Sequence, residues 1–169
     1  MAHNPLIQKI VSGGQTGADR AGLDWAIWHE IAHGGWCPKG RRAEDGVVPA
    51  VYRLNPTPTV HYRQRTEWNV RDSDATVIFT IRPRLTGGSL LTKRFAELHN
   101  KPVLHLYPSQ SYQRVEALLG FTAGNCVSVL NIAGARASED RGIYDFVKAT
   151  LEDAFFPKPS VWIGGPGEG

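Results

Sequence analysis

The sequence predicts a single α/β domain: a Rossmann-like, doubly wound parallel sheet of about five strands. Short β-rich apolar runs alternate with amphipathic helical stretches, without hairpin signals between them. Three strand-to-helix junctions, at 13–17, 86–89 and 131–138, are rich in glycine and other small residues. In an open parallel sheet such junctions gather at the carboxyl ends of the strands, where ligands bind. A chain of 169 residues, 41% of them hydrophobic, suits one domain with a sizeable core.

Residues 6–12 read as a buried strand, followed by a glycine turn and a helix over 18–32. In that helix Leu23, Ile27 and Ile31 recur at four-residue spacing beside Trp25 and Trp28, and Gly34-Gly35 stops it. Residues 35–37 read as a short second strand. The stretch 41–59, with Pro49, Pro56 and Pro58 inside it and Pro38 at its flank, shows little periodicity and reads as a long functional loop. A short helix over 66–72 leads to a strand at 75–81. A turn at 82–88 then opens a helix over 89–100 with Leu91, Phe95 and Leu98 as its core stripe. A strand at 102–107, a helix at 112–119 and a strand at 126–133 follow. The last helix, 143–155, turns Ile143, Phe146, Val147, Leu151 and Ala154 inward, and 156–169 is a Pro/Gly-rich tail beyond the 1–155 domain.

The first junction, Ser12-Gly13-Gly14-Gln15-Thr16-Gly17, joins a strand to a helix start. Glycines there let backbone approach a ligand closely, and helix N-terminal N–H groups favour an anion. It is not a Walker loop, since Ala18-Asp19 follows Gly17 where Lys and Ser or Thr are needed. A dinucleotide fingerprint is matched only at Gly14 and Gly17, and the acidic ribose ligand expected about 20 residues on is missing. Lys39, Arg41 and Arg42 stand there instead. With Arg20 and Arg136 near the other junctions, the pattern points to an anion pocket built from Gly13–Gly17, Thr86, Gly87, Gly88 and Ser89, and Asn131, Gly134, Arg136 and Ser138.

A net charge of +3 and a pI near 9.0 fit an anionic small ligand, and no lysine-rich run argues for nucleic acid. No apolar run reaches the ~18 residues of a membrane span, and no secretory signal is apparent, so a soluble cytoplasmic protein is expected. Cys37 and Cys126 read as reduced thiols. Cys37 is most simply a small buried residue, with a metal-ligating thiol as the sharper reading. The six histidines lack metal-ligand spacing. Trp25, Trp28 and Trp68 read as core, while Trp36 is a candidate to face a flat ring. Asp72 and Asp74 either cap a helix end and a strand start, or hydrogen-bond the amino groups of a heterocycle.

Several motifs together look familiar. They are Gly13 to Arg20, Gly35 to Gly46, Asp72-Ser73-Asp74-Ala75-Thr76, Leu85 to Ser89, and Leu130 to Ser138, the last with Ala135 where Pro is expected. Spread from about residue 10 to 155, they resemble the molybdenum carrier family, a circularly permuted YpsA-like branch of the Rossmann-like SLOG superfamily. The resemblance implies binding, storage, protection and transfer of molybdenum cofactor (molybdopterin), with no catalysis and no direct protein ligand to the metal, which the pterin dithiolene holds. It also implies a homo-oligomer, dimer or tetramer, with cofactor-synthesising enzymes or molybdoenzymes as exchange partners. Molybdate, phosphate or sulfate are the simple anions that such a pocket would take.

Glycine N–H groups would then hold the phosphate, Lys39, Arg41, Arg42 and Arg136 the charge, and Asp72 or Asp74 the pterin. A rival reading comes from phosphoribohydrolases of the same superfamily, also described as lysine-decarboxylase-like, which carry P-G-G-x-G-T-x-x-E. Here Arg94 falls at the position of the catalytic Glu in an ungapped comparison, which argues against nucleotide hydrolysis. A nucleotide-binding sensor is the third reading.

Overall fold

The structure, a computed structural model, describes residues 7–108 and 113–159. Leu6, Tyr112 and positions 160–169 of the expected tail lie outside the described residues. The main sheet has five strands in the order β2-β1-β9-β7-β8, every neighbouring pair parallel. They are β1 (Lys9–Val11), β2 (Ala32–Gly34), β7 (Ala75–Phe79), β8 (Val103–Leu106) and β9 (Val129–Gly134). All five β7 residues are buried, as a strand covered on both faces requires. Five helices flank the sheet: α1 (Ala18–Trp28), α2 (Tyr62–Arg71), α3 (Gly87–Leu98), α4 (Arg114–Gly124) and α5 (Ile143–Phe155). Helix α5 packs on α1 and α4, and α2 on α3, which gives one helical layer on each face.

The main core joins Ile10, Trp25, Val77, Phe79, Leu130, Ile132, Val147 and Leu151. Each such side chain contributes roughly 1.5–3 kcal/mol by leaving water. Smaller clusters lie between α2 and α3 (Val70, Phe95, Ala96) and under the 41–59 segment (Leu23, Cys37, Val48, Tyr52, Leu54). In β9, Gly134 sits against Phe79 so tightly that any Cβ would fall on the Phe79 carbonyl.

Several boundaries differ from the sequence reading, for identifiable reasons. Helix α1 stops at Trp28, not at 32, because Glu30 takes φ 55° and the Ile31 N–H donates back to the Ala26 carbonyl at 2.8 Å. That is a Schellman-type end with a non-glycine residue in the left-handed position. The freed residues 32–34 become the edge strand of the main sheet. The expected strand at 35–37 instead forms β3 (Trp36–Cys37), paired in parallel with β6 (Asn55–Pro56).

A hairpin exists after all: β4 (Arg42–Ala43) and β5 (Gly46–Val47) pair antiparallel inside the 41–59 segment. Trp25 is core, but Trp28 is 79% exposed, and Leu98 is 67% exposed on α3. Phe155 is buried, and Phe156 stacks on His29 with ring centroids 3.8 Å apart, so the expected tail begins attached to the body.

Candidate functional site

Strand β9 leads to α5 on one face of the sheet and β7 leads to α3 on the other. The chain therefore parts between their carboxyl ends, the switch point where open α/β sheets hold ligands. A polar crevice of about 280 Å³ opens there, lined by Thr80, Arg82, Arg84, Thr86, Ser89, Ala135, Glu139 and Asp140. It adjoins a narrow cleft among Gln15, Asp19, Arg65, Thr66, Gly88, Ser89, Thr92, Gly134 and Arg136. On its other side Arg84 also borders a more apolar cavity of about 440 Å³, with Leu85, Leu90, Lys93, Val103 and His105.

The second junction faces this space openly. Thr86 is the N-cap of α3 and makes no side-chain cap bond. The N–H groups of Gly87, Gly88 and Ser89 have no acceptor among the described residues. A Cβ on Gly87 or Gly88 would meet nothing within 4 Å. The end of α3 thus presents free donors and the positive pole of a helix to solvent. Two further donors, on residues that line the narrow cleft, are buried without partners among the described residues: Gln15 Nε2 and Arg65 Nε. A buried donor without an acceptor costs about 1–3 kcal/mol, so an anion that accepts from both would relieve it.

The first junction is filled by the protein itself. A Cβ on Gly13 would run into the Arg65 guanidinium, one on Gly14 into Leu54, and one on Gly17 would lie 2.5 Å from the Ala135 carbonyl oxygen. Most of its N–H groups are committed too, that of Gly17 having no acceptor among the described residues. Gly14 donates to Ser12 Oγ, Gln15 to Asp19 Oδ2 at 3.2 Å, Thr16 to Gln15 Oε1 at 3.1 Å, and Ala18 to the Ala135 carbonyl at 3.1 Å. These glycines therefore let loops approach one another, and the junction's offering to the crevice is the Gln15 and Asp19 side chains. Burial pushes the Asp19 carboxyl above the usual carboxylate range, against the pull of Arg65 at 3.4 Å.

The expected cations divide into three groups. Arg41 is structural: its guanidinium donates to the carbonyls of Val48, Pro49, Tyr52 and Leu54 at 2.8–3.1 Å. Arg20 is bound to Asp45 and to the Gly14 carbonyl. Lys39 is exposed just after β3. Arg42 and Arg136 do converge, and they are joined by Arg65. The three guanidinium carbons lie 5.9, 6.0 and 5.7 Å from the centre of the Tyr62 ring.

Arg65 and Tyr62 were missing from the sequence-based set because the helix was started at 66, whereas α2 begins at Tyr62. The signal is an aromatic residue, Tyr62, with an arginine, Arg65, one helical turn away.

The third junction holds an internal anion. Glu44, at the hairpin tip, accepts from the Thr16 hydroxyl, from Ser138 Oγ at 2.5 Å and from the Ser138 N–H at 3.2 Å, with Arg136 Nε 4.0 Å away. Partial burial works against its ionisation, but the bonds from Ser138 and Thr16 prevail and hold the carboxyl below its usual range.

Asn131 lies inside β9, buried and bonded to Thr76 Oγ1 at 3.1 Å, so it packs the sheet. Asp74 accepts from the Ser128 and Val129 N–H groups at the amino ends of β7 and β9, opposite the crevice. Asp72, at the far end of α2, holds Arg71 and the Trp36 indole N–H. Trp36 itself lies edge-on to Trp68. Both aspartates thus have the capping and bridging roles of the simpler reading. Cys37 is fully buried, and burial raises its thiol pKa, as suits a small core residue.

Comparison with known proteins adds the family. No curated protein matches the chain. The structure is similar to the crystal structure at 1.45 Å resolution of a "Putative molybdenum carrier protein" from Syntrophus aciditrophicus SB. The two share 50% identity with a TM-score of 0.84, over 90% of this chain and 96% of that one. The pattern of one family, described as the circularly permutated YpsA SLOG family, runs through residues 10–155. Switch-point architecture, ordered motifs and family pattern agree, and the chain belongs to the circularly permutated YpsA SLOG family.

Proposed function

We propose that this protein is a non-catalytic carrier of molybdenum cofactor, which it binds in the crevice between the carboxyl ends of β7 and β9, protects and hands on. The observation that carries this reading is the convergence of unused donors on one polar cleft. They are the Gly88 and Ser89 N–H groups at the start of α3, Gln15 Nε2 and Arg65 Nε, all on residues that line the cleft and none with an acceptor among the described residues. Such a cleft suits the cofactor's terminal phosphate or its oxo-metal end. The adjoining cavity along Leu85, Leu90 and Val103 offers apolar surface for a flat ring. Ligand pockets of drug size run to about 300–1,000 Å³, a range the joined cavities reach. The solved relative's name points the same way.

The cargo brings its own metal, held by the pterin dithiolene, so the proposal asks for no metal ligand from the protein. No described helix is long and apolar enough to cross a membrane. Work in the cytoplasm as a homo-oligomeric carrier, drawing on cofactor-synthesising enzymes or supplying molybdoenzymes, completes the proposal.

The test is to mix anaerobically purified protein with released cofactor, expose it to air, and score the cofactor left by reconstitution of a cofactor-free nitrate reductase. Protection above that given by an unrelated protein is expected. No protection, together with base release from a nucleoside monophosphate, would replace the proposal with a phosphoribohydrolase. Tight nucleotide binding without either effect would replace it with a sensor.

A further inference from the structure

Glu44 fills a place that its neighbours shape for an oxyanion. Its carboxylate collects two hydroxyl groups, from Thr16 and Ser138, and one backbone N–H, from Ser138, and lies 4.0 Å from Arg136 Nε, which Glu139 pairs with at 3.3 Å. The Thr16 hydroxyl is oriented for this by the Ala137 N–H, which donates to it at 3.2 Å. These donors come from two loops that the sheet brings together, and they would serve a phosphate or molybdate oxygen as well as a carboxylate.

The hairpin that delivers Glu44 is short and exposed, fastened chiefly through Glu44 itself and the Asp45 pair with Arg20. Its two strands are two residues long, Val47 is 69% exposed, and Asp45 reaches Arg20 at a half-exposed site. The cradle and the crevice also share residues. Gln15, which lines the cleft, accepts the Glu44 N–H on its Oε1 at 2.9 Å and has no partner for its Nε2 among the described residues, and Arg136 borders both.

We propose that Thr16, Ser138 and Arg136 form a second oxyanion subsite, occupied by the Glu44 carboxylate and filled by an anionic group of the ligand when the 42–47 hairpin swings away. This rests on the reading that the ligand enters the neighbouring crevice. A cargo anionic at both ends would then bridge the α3 terminus and the cradle, and the hairpin would exchange with one of those ends. The chemistry is that of a phosphate or a molybdate-like oxyanion.

The experiment compares the parent with Glu44→Ala and Glu44→Gln. Melting is followed in sodium molybdate, phosphate and chloride at matched ionic strength, and amide signals of Ser138 and Gly88 are followed by nitrogen-15 NMR. Glu44→Ala is expected to melt below the parent and to regain most of the loss in molybdate or phosphate, a larger gain than the parent shows. Adding Ser138→Ala should abolish that gain. The Ser138 amide should shift with anion in both Glu44 variants at concentrations that leave it unmoved in the parent. If Glu44→Ala does not fold, Glu44→Gln carries the amide measurement, because it keeps the shape and removes the charge.

Response to molybdate at lower concentration than phosphate assigns the cradle to the metal-oxo end; the reverse assigns it to the phosphate end. An equal anion response in variant and parent, with a still Ser138 amide, overturns the proposal. The Gly88 amide reports the crevice separately, so failure there is distinguishable from failure at the cradle.

Discussion

Gly88 and Gly17 open two of the helices at the same edge of the sheet, yet they should respond to alanine in opposite ways. A Cβ on Gly88 enters empty space at the positive end of α3. Alanine there relieves the entropic cost of glycine in a helix, roughly 0.5–1 kcal/mol at most. For a chain of this size that raises the melting temperature by about 1–4 °C. The same methyl group stands where an anion must approach the N–H groups.

A helix terminus favours an anion by up to ~2 kcal/mol in partly buried geometry, and 1.4 kcal/mol is tenfold in affinity. Gly88→Ala should therefore bind molybdate or phosphate about tenfold more weakly while melting no lower. At Gly17 the backbone sits at φ 81°, and the Cβ would lie 2.5 Å from the Ala135 carbonyl oxygen. Strain of that kind costs on the order of 1–3 kcal/mol before the clash is added. Gly17→Ala should lose at least about 3 kcal/mol. Calorimetric titration and chemical denaturation of both variants decide the matter. If Gly88→Ala binds anions as the parent does, or Gly17→Ala is as stable as the parent, the assignment of ligand-facing and loop-facing glycines is wrong.

Three further outcomes are expected. Arg41→Ala removes one cation from four carbonyls that tie 41–54 together. It should cost about 3 kcal/mol, within the range for charge-assisted bonds, and open this segment to limited proteolysis; unchanged resistance would contradict it. Asp19 has its pKa raised by burial from an ordinary value near 3.8. As pH rises past that value the unfolded carboxyl ionises before the folded one, so its contribution to stability falls. Stability of Asp19→Asn measured against the parent should thus improve from pH 4 upward, and a worsening trend would refute the burial argument. Subtraction is needed because Glu44 and Asp45, both held low, carry the opposite sign. Light scattering should give a dimer or tetramer that Trp28→Ser weakens, since Trp28 is the aromatic left exposed on α1; a species of 18.6 kDa alone would reject assembly.

The parallel sheet was legible because β7 and β9 are continuous apolar-rich runs, as strands covered on both faces are, and α5 carries a clear helical stripe. What escaped was decided by single residues in uncommon roles. Glu30, Asn100 and Cys126 all take φ near 50° at helix ends where a reader looks for glycine, which hid the true end of α1 and the edge strand after it. The 41–59 segment lacks periodicity because much of its order comes from one arginine on its carbonyls and one glutamate at its tip, neither of which leaves a repeating trace. The missing half of the candidate site, Tyr62 and Arg65, lay on a helix whose first turn holds polar and aromatic residues in place of an apolar stripe.

A glycine motif says that something comes close, and leaves open whether the visitor is ligand or protein. Around this crevice both answers occur within one edge of one sheet. Gly13, Gly14, Gly17 and Gly134 have neighbours of the chain itself where a side chain would go, and Gly87 and Gly88 have none. Anionic sites divide in the same way. The third junction has its carboxylate already, from Glu44, whereas the start of α3 has donors and no acceptor. The sequence pattern that looks like three equivalent anion junctions therefore resolves into one that is open, one that supplies Gln15 and Asp19 from behind, and one that holds the Glu44 carboxylate. On the proposed function this division has a physical use: a cargo charged at both ends can be held by donors at both places and released without any bond being broken.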